Sequence, residues 1–580
     1  MLYPKPASGL RPVRVGILLG SFHAPEWVQQ LVRDIHECDF ATLAVVLIGE
    51  ERRCVRRPDA DAPSNGQNLS AGSALYWLYT ALDKRFHPDA VRRRPLDLGD
   101  ADLVPVERNS DGSELSRKFR NDIESRELDV LLDLGFHENV SEFVKLASKG
   151  VLFSSFGEAD EVRRGPALLW RIYDRPAKAG TYVRVVHEIP DGKSTALESY
   201  SSTSDSVWLS RHSQAASWRA STLFFRFLRA MAAGEKLGRV QRKRETKPAG
   251  RAPSNRQMRS FFLRCGVRLI RKKMMMLSRK VQWLVAYRTD SSKFVASSER
   301  IDLSGFVPIV PERDHVYADP CVVTHLGVDY IFIEDLLKGT ARGTIAVIPI
   351  QADGTNGPVQ QVLARDHHLS YPFVFEWEGN MYMLPETSQA NSVQLYRATN
   401  FPLEWRMDRE LLKGRPMVDS TLQLHQGTWF LFLNAIETRR RGSLNDELFL
   451  FVAETPLGPW KPHPKNPICS DVRRSRPAGR LFARNGRLIR PSQDCSERYG
   501  SRINLCEVKA LSESHYEEEV IGHIDPRSGL PGFDGCHTIS FTERVETIDL
   551  RRTILRFGDS ALEIDGGAGI DASPHGPRDL

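Results

Sequence analysis

Between residues 324 and 552, large apolar residues alternate with polar ones in short runs that break at glycine. Thr324–Asp335 reads THLGVDYIFIED, Ser370–Ser388 reads SYPFVFEWEGNMYMLPETS, Leu422–Asn434 reads LQLHQGTWFLFLN and Leu481–Asp494 reads LFARNGRLIRPSQD. Period-two alternation around a glycine-bearing turn predicts a β-hairpin at each. The turn glycines Gly327, Gly379, Gly427 and Gly486 recur roughly every 50 residues, a spacing that points to propeller blades. A second strand pair follows each hairpin, at 344–363, 392–412, 447–468 and 502–524, so each unit holds the four strands of one blade. A weaker fifth unit, 536–552, is expected to complete the ring with a strand from around 294–310. The prediction is a five-bladed all-β propeller over 293–560, with a disordered tail at 561–580.

The first 237 residues follow a different rhythm. Val13–Leu19 (VRVGILL) reads as a buried strand, Pro25–Cys38 spaces Trp27, Val28, Leu31, Val32 and Ile35 as a helix does, and Leu43–Ile48 reads as a second strand. A βαβ start implies a parallel sheet in an α/β domain. A further strand is expected within Leu128–Phe136. Gly16 and Gly20 do not form a GxGxxG, so no dinucleotide site is indicated. Between the two domains, 238–292 reads as a basic linker, with Arg256–Arg288 helical throughout.

Charge sharpens this division. The chain's net charge is +7, yet Arg239–Thr289 holds 16 Lys or Arg against the single acid Glu245, so the remainder is net acidic. Apolar Phe261, Phe262, Val267, Ile270, Met274, Leu277, Val281, Trp283 and Leu284 interleave with these cations. Two readings follow: a helix docked on one of the domains, or a peripheral contact with an anionic membrane through 256–288. No nucleic-acid motif accompanies the basic run, so no nucleic-acid partner is expected. Eight scattered cysteines without metal-ligand spacing read as inert thiols in a reducing compartment. The opening MLYPKPASGLRP has no apolar leader stretch, and no run is long enough to cross a bilayer. A cytoplasmic protein, with membrane association through the basic helix, is the expectation.

In a propeller the first strands of the blades begin beside the central axis. The residues at that phase are Asp319-Pro320, Tyr371-Pro372-Phe373, Asp419-Ser420-Thr421, Arg476-Pro477-Ala478-Gly479 and His537-Thr538. The hairpin exits add Glu334, Asp335, Glu386 and Asp494, and Arg490 stands on the fourth hairpin. Converging acids, arginines and an aromatic suit a carbohydrate pocket, and paired carboxylates are what glycosidic cleavage or transfer requires. Each has a plain structural alternative. Asp319 and Asp419 can cap turns, Glu386 can pair with Arg476 or Arg490, and Asp446 and Glu447 can be solvated loop residues. Asp471, Arg473 and Arg474 read as a surface charge cluster. His367-His368 lacks a third ligand, so no metal site is expected.

Two resemblances add to this. Gly150–Trp170, with Ala179-Gly180-Thr181 and Ile189-Pro190-Asp191-Gly192, resembles the core of the formyltransferase family. The family's motif places its Asn on Phe153 and its His on Ser155, while Arg164-Gly165-Pro166 keeps the loop and Asp191 the acid. Neither Phe nor Ser can shuttle a proton near neutral pH, and His137 and His187 are the nearest histidines. The resemblance therefore implies a retained fold with a degenerate site, and 10-formyltetrahydrofolate as a cofactor only if that domain is active; otherwise none is expected.

The second resemblance covers roughly 314–552. Asp319-Pro320, the run Ser370–Phe375, Pro385–Ser388, Asp419–Thr421, Asn445–Leu448, Pro456–Trp460, Arg476–Gly479 and Arg490–Asp494 resemble the N-terminal propeller domain of plant glucosamine inositolphosphorylceramide transferases and its bacterial relatives. That domain is similar to the propellers of arabinanases, β-xylosidases, invertases and levansucrases. The resemblance implies Asp319 as base or nucleophile, Asp419 as the acid that tunes pKa, and Glu386 as proton donor, with Glu447 next in line. Tyr371, Arg476, Arg490, Asp494, His537 and Glu334 would bind substrate. Three functions follow as expectations: a glycoside hydrolase or transglycosylase acting on a surface glycan or glycolipid head group, a non-catalytic glycan-binding or assembly protein of polysaccharide biosynthesis, and a sugar N-formyltransferase.

Overall fold

The structure, a computed structural model, describes residues 2–4, 11–49, 73–110, 114–136, 140–156, 169, 181–201, 207–235, 239–241, 253–297, 301–340, 342–437 and 443–555. Arg164–Pro166, Ala179-Gly180, His137, residues 242–252 of the linker and the 561–580 tail lie outside these. The chain forms two units, Lys5–Leu269 and Met1–Pro4 with Ile270–Leu580.

In the first unit, eight strands form one sheet in the order Arg239–Gln241, Ser194–Ser201, Thr181–Glu188, Val151–Phe156, Val130–Asp133, Val13–Leu19, Ala41–Ile48 and Asp102–Pro105. The last five are parallel, as the βαβ start predicts, and the added strands are antiparallel. Arg239–Gln241, expected in the linker, instead extends this sheet. The helices Glu26–Glu37 and Leu209–Ala232 bury Val28, Leu31, Ile35, Leu223, Phe224 and Phe227 against one face.

The second unit is a five-bladed propeller. Blades 1 to 4 span His315–Leu363, Ser370–Lys413, Met417–Pro462 and Arg476–Ile524. Their first hairpins turn on Leu326-Gly327, Glu378-Gly379, Gln426-Gly427 and Asn485-Gly486, with both residues at positive φ each time. That is the I′ geometry whose twist matches the flanking strands, and it explains a glycine at each second position.

Blade 5 is closed by a different strand from the one expected. Arg279–Arg288, read from sequence as the end of a helix, is a ten-residue strand paired antiparallel along its length with Glu546–Leu555. Val307–Ile309 then covers its outer edge, so the 294–310 region supplies the outermost strand rather than the closing one. The helix therefore stops at Ser278. Its basic run hid the switch, because VQWLVAY carries the β-branched and aromatic residues that favour strands. The domain boundary falls inside this helix rather than at 237, and 238–292 is not a separate linker.

Candidate functional site at the propeller mouth

The first strand of each blade lies innermost, against the first strand of the next. In blades 1, 2 and 3 this strand carries a bulge at one position. Pairing slips between Ala318 and Cys321, between Ser370 and Phe373, and between Val418 and Thr421. In each bulge one residue is left-handed: Asp319 (φ 51°), Tyr371 (φ 44°) and Asp419 (φ 54°). Non-glycine residues pay about 1–3 kcal/mol for such backbone, and bulges of this kind re-aim a side chain. Gly479 (φ 127°) marks the break in blade 4, where a Cβ would meet the Ile539 carbonyl oxygen at 2.0 Å.

The re-aimed groups meet. The Tyr371 amide donates to Asp319 Oδ2 at 3.3 Å and the Thr538 hydroxyl donates to Asp319 Oδ1 at 2.9 Å. His537 Nε2 stands 3.4 Å from Asp319 Oδ1, and its Nδ1 contacts Asp549 Oδ2. Asp549 also accepts from the amides of His537 (2.8 Å), Thr538 (2.9 Å) and Asp319 (3.1 Å). Carboxylates beside both nitrogens favour the protonated imidazole. Burial pushes His537 down, but Asp549 and Asp319 outweigh it and leave its pKa raised. Burial raises Asp319, assisted by Asp419 and Asp549 and opposed by His537. Ligand atoms of Asp319, His537 and Asp549 lie within 4.8 Å of one another, the span of one shared cation.

Across the ring, Arg476 clamps Asp419 with Nε (2.5 Å) and Nη2 (3.1 Å), and reaches Asn445 Oδ1 at 2.8 Å. Gln493 Nε2 adds a 3.0 Å bond to Asp419. Glu386 lies 3.6 Å from Arg476 Nη2 and accepts from the Ser388 hydroxyl at 2.7 Å. Burial, then the Asp419 charge, raise Glu386 to about 8 against the opposing pull of Arg476, so it carries a proton at neutral pH. The Tyr371 phenol accepts from the Gly479 amide and bonds the Thr421 hydroxyl, both at 2.8 Å. Burial holds its pKa well above the usual value. Beside these groups is a small, partly open cleft whose lining includes Asp319, Tyr371, Phe373, Arg480 and Thr538.

The structure thus gathers Asp319, Tyr371, Asp419, Arg476, His537 and Glu386. Glu334 belongs with them: burial, with the charges of Asp319 and Glu386, raises it well above the ordinary carboxylate range, and His368 Nε2 lies 3.3 Å away. Three expected residues stand elsewhere. Arg490 is buried against Glu518 (2.8 Å) and donates to the Arg474 carbonyl, because its side chain projects into the blade rather than to the axis. Asp494 is taken by Arg502 at 2.8 Å and by Ser496. Glu447 accepts from Ser470 at 2.6 Å and acts on Glu437 rather than on the ring.

Asp549 is the acid that sequence reasoning missed. It stands opposite Thr538 on the second strand of blade 5, as Glu334 stands opposite Ala318, Glu386 opposite Ser370 and Asn434 opposite Val418. Extending the hairpin-exit comparison to the run VETIDL would have exposed it.

In the first unit, Phe153 and Ser155 lie on Val151–Phe156. Asp191 is exposed on the hairpin turn beyond Glu188, 3.2 Å from Lys193. Glu188 pairs with Val151 at the amino end of that strand. Ligands of parallel sheets bind beyond the carboxyl ends, so Asp191 is not brought to Phe153 and Ser155. His187 Nε2 is engaged by the Lys149 carbonyl at 2.5 Å.

The second unit is, by fold, a five-bladed propeller with a buried ring of acids and cations around its inner strands. Residues 311–535 match the family model described as glucosamine inositolphosphorylceramide transferase 1, N-terminal, in agreement with the resemblance read from the motifs. Glucosamine inositolphosphorylceramide transferase 1 of Arabidopsis thaliana is 39% identical over 204 residues, which are 35% of this chain and 26% of the relative. The Oryza sativa subsp. japonica protein of the same name is 37% identical over 223 residues, 38% of this chain and 30% of the relative. The chain thus spans under a third of these relatives' length. Among solved structures, a family 117 glycoside hydrolase from Zobellia galactanivorans is similar at 11% identity and a TM-score of 0.32, covering 52% of this chain and 96% of the hydrolase.

Proposed function

We propose that the propeller mouth processes a carbohydrate, cleaving or transferring a glycosyl group of a glycolipid head group or surface glycan. The observation that carries this is the pair of unlike carboxyl environments. Glu386 holds its proton up to about pH 8, whereas Asp319 faces the Thr538 hydroxyl, the Tyr371 amide and the His537 imidazole. Burial raises both carboxyls, and the assignment rests on their unlike partners, since acid and base roles need two carboxyl groups in different surroundings. In this reading Glu386 protonates the leaving glycosidic oxygen, and Asp319 serves as base or nucleophile at the anomeric side. Asp419, fixed by Arg476 and Gln493, does no proton transfer; its charge adds to burial in raising Glu386. Tyr371 and Arg476 orient the sugar. The relatives' name, which describes transferases of a glycosylated inositol lipid, supports a glycolipid head group as the substrate class.

A second reading, glycan binding without turnover, is favoured by one observation: Asp419 is fully engaged by Arg476 and Gln493. A screen of aryl-glycosides, bacterial glycans and glycosylated inositol lipids separates the two. Turnover lost in both Asp319→Asn and Glu386→Gln supports the catalytic reading. Absence of turnover in the parent chain, with glycan affinity retained by both variants, replaces it with the binding one.

A further inference from the structure

The helix Asn255–Ser278 buries two residues, Met258 and Phe261, which join a cluster with Tyr76, Tyr79, Leu169 and Leu209. Phe262 and Cys265 still touch this cluster, and beyond them the large apolar side chains of the helix are exposed. Leu263, Val267, Ile270, Met274 and Leu277 follow one another at spacings of four, three, four and three, and each is 57–69% exposed. At 100° per residue they fall within an arc of about 80°, so they form one stripe about 20 Å long on one side of the helix. Arg264, Arg268 and Arg271 lie together on the adjoining face, followed by Lys272 and Lys273. From Arg256 to Arg288 the sequence has no Asp or Glu.

We propose that residues 263–278 form a membrane-surface helix that lays its apolar stripe into the headgroup–acyl boundary of an anionic bilayer. The inference stands apart from the propeller chemistry and does not depend on it. Large exposed apolar surface on a helix calls for an occupant, and charge selects which. A spacing of four and three also suits a second copy of the same helix, but paired helices need opposite charges on the flanks of the seam. The charges this helix sets beside the stripe, Arg271 and Lys273 among them, are positive, so self-pairing sets cation against cation, whereas an anionic lipid surface attracts them. The helix cannot span instead, since no helix among the described residues is long and apolar enough to cross a membrane.

The test is co-sedimentation of the full chain with vesicles of phosphatidylcholine alone or mixed with phosphatidylglycerol, at low and high salt. Binding to the mixed vesicles, weakened by salt, is expected. Ile270→Glu/Met274→Glu should abolish it, and Arg271→Gln/Lys273→Gln should weaken it about fivefold per charge removed. All four side chains lie on the exposed part of the helix, so the thermal melts should match the parent's. No binding to mixed vesicles, equal binding to both kinds, or binding indifferent to Ile270→Glu/Met274→Glu would overturn the proposal. A dimer in sedimentation equilibrium that the same double variant dissociates would assign the stripe to a second copy.

Discussion

Glu386 gives the site a pH signature of known sign. Its folded pKa, about 8, lies above its ordinary value of 4.5, so between those limits the folded chain holds a proton that the unfolded chain has released. Stability from this group is therefore lost as pH rises through that window. His537 acts in the same direction: its attraction to Asp549 and Asp319 is complete below its ordinary value of 6.5 and fades once pH passes its raised value. Denaturant titrations should show the propeller weakening from pH 5 to pH 8, with Glu386→Gln flattening part of the slope. In kinetics, kcat/KM should fall on an alkaline limb near pH 8, where the acid loses its proton. A limb that survives Glu386→Gln would assign the acid elsewhere. Much of this site was legible as polar residues repeating at one strand phase, which is why Asp319, Tyr371, Asp419 and His537 were found. Arg490 was misplaced because it stands three residues before Gln493, the residue that pairs with Arg476 at the strand exit, and so lies within the blade against Glu518.

At the scale of elements, ring closure rests on a buried ion pair. Arg288 ends the closing strand, and its Nε meets Glu546 Oε2 at 2.7 Å with both residues buried. Its Nη1 caps the carbonyls of Asp302 and Ser304, and the guanidinium stacks 4.3 Å from the Phe306 ring centroid. One arginine thereby joins the closing strand, the last strand and the segment leading to the outer edge. Removing one partner of a buried pair strands the other charge and costs about 3–5 kcal/mol. Arg288→Ala should lower propeller stability by that order, whereas Glu546→Gln, which keeps an acceptor for Arg288, should cost less. No loss from Glu546→Gln beside a full loss from Arg288→Ala would mean that the arginine acts through its packing and carbonyl bonds rather than through the ion pair. The blades themselves were readable from their I′ turns. The closing strand was not, because it follows a helix without a glycine or proline between them, so the change of period at Ser278 has no punctuation.

At the scale of the whole molecule, the chain enters the propeller twice. Leu2 and Tyr3 belong to the blade 2 and 3 core with Phe449 and Phe451, although residues 5–269 form the other unit. Asn466 Nδ2 donates to the Leu2 carbonyl at 2.9 Å, and Tyr3 donates to Glu437, whose carboxyl burial and the nearby Glu447 hold well above the ordinary range. The α/β unit is thus covalently an insertion between a short strap and the rest of the propeller. Each unit has its own buried clusters, so unfolding should proceed in two transitions rather than one. Leu2→Ala removes a buried side chain from the propeller's core and should cost it about 2–5 kcal/mol while leaving the α/β transition in place. Tyr3→Phe should cost less than Leu2→Ala at neutral pH, because it keeps the ring against Phe449 and removes only the hydroxyl. Calorimetry of the three chains, with near-ultraviolet dichroism to follow the aromatic-rich propeller, decides the matter. A Leu2→Ala melt in which both transitions fall together would show the two cores unfolding as one.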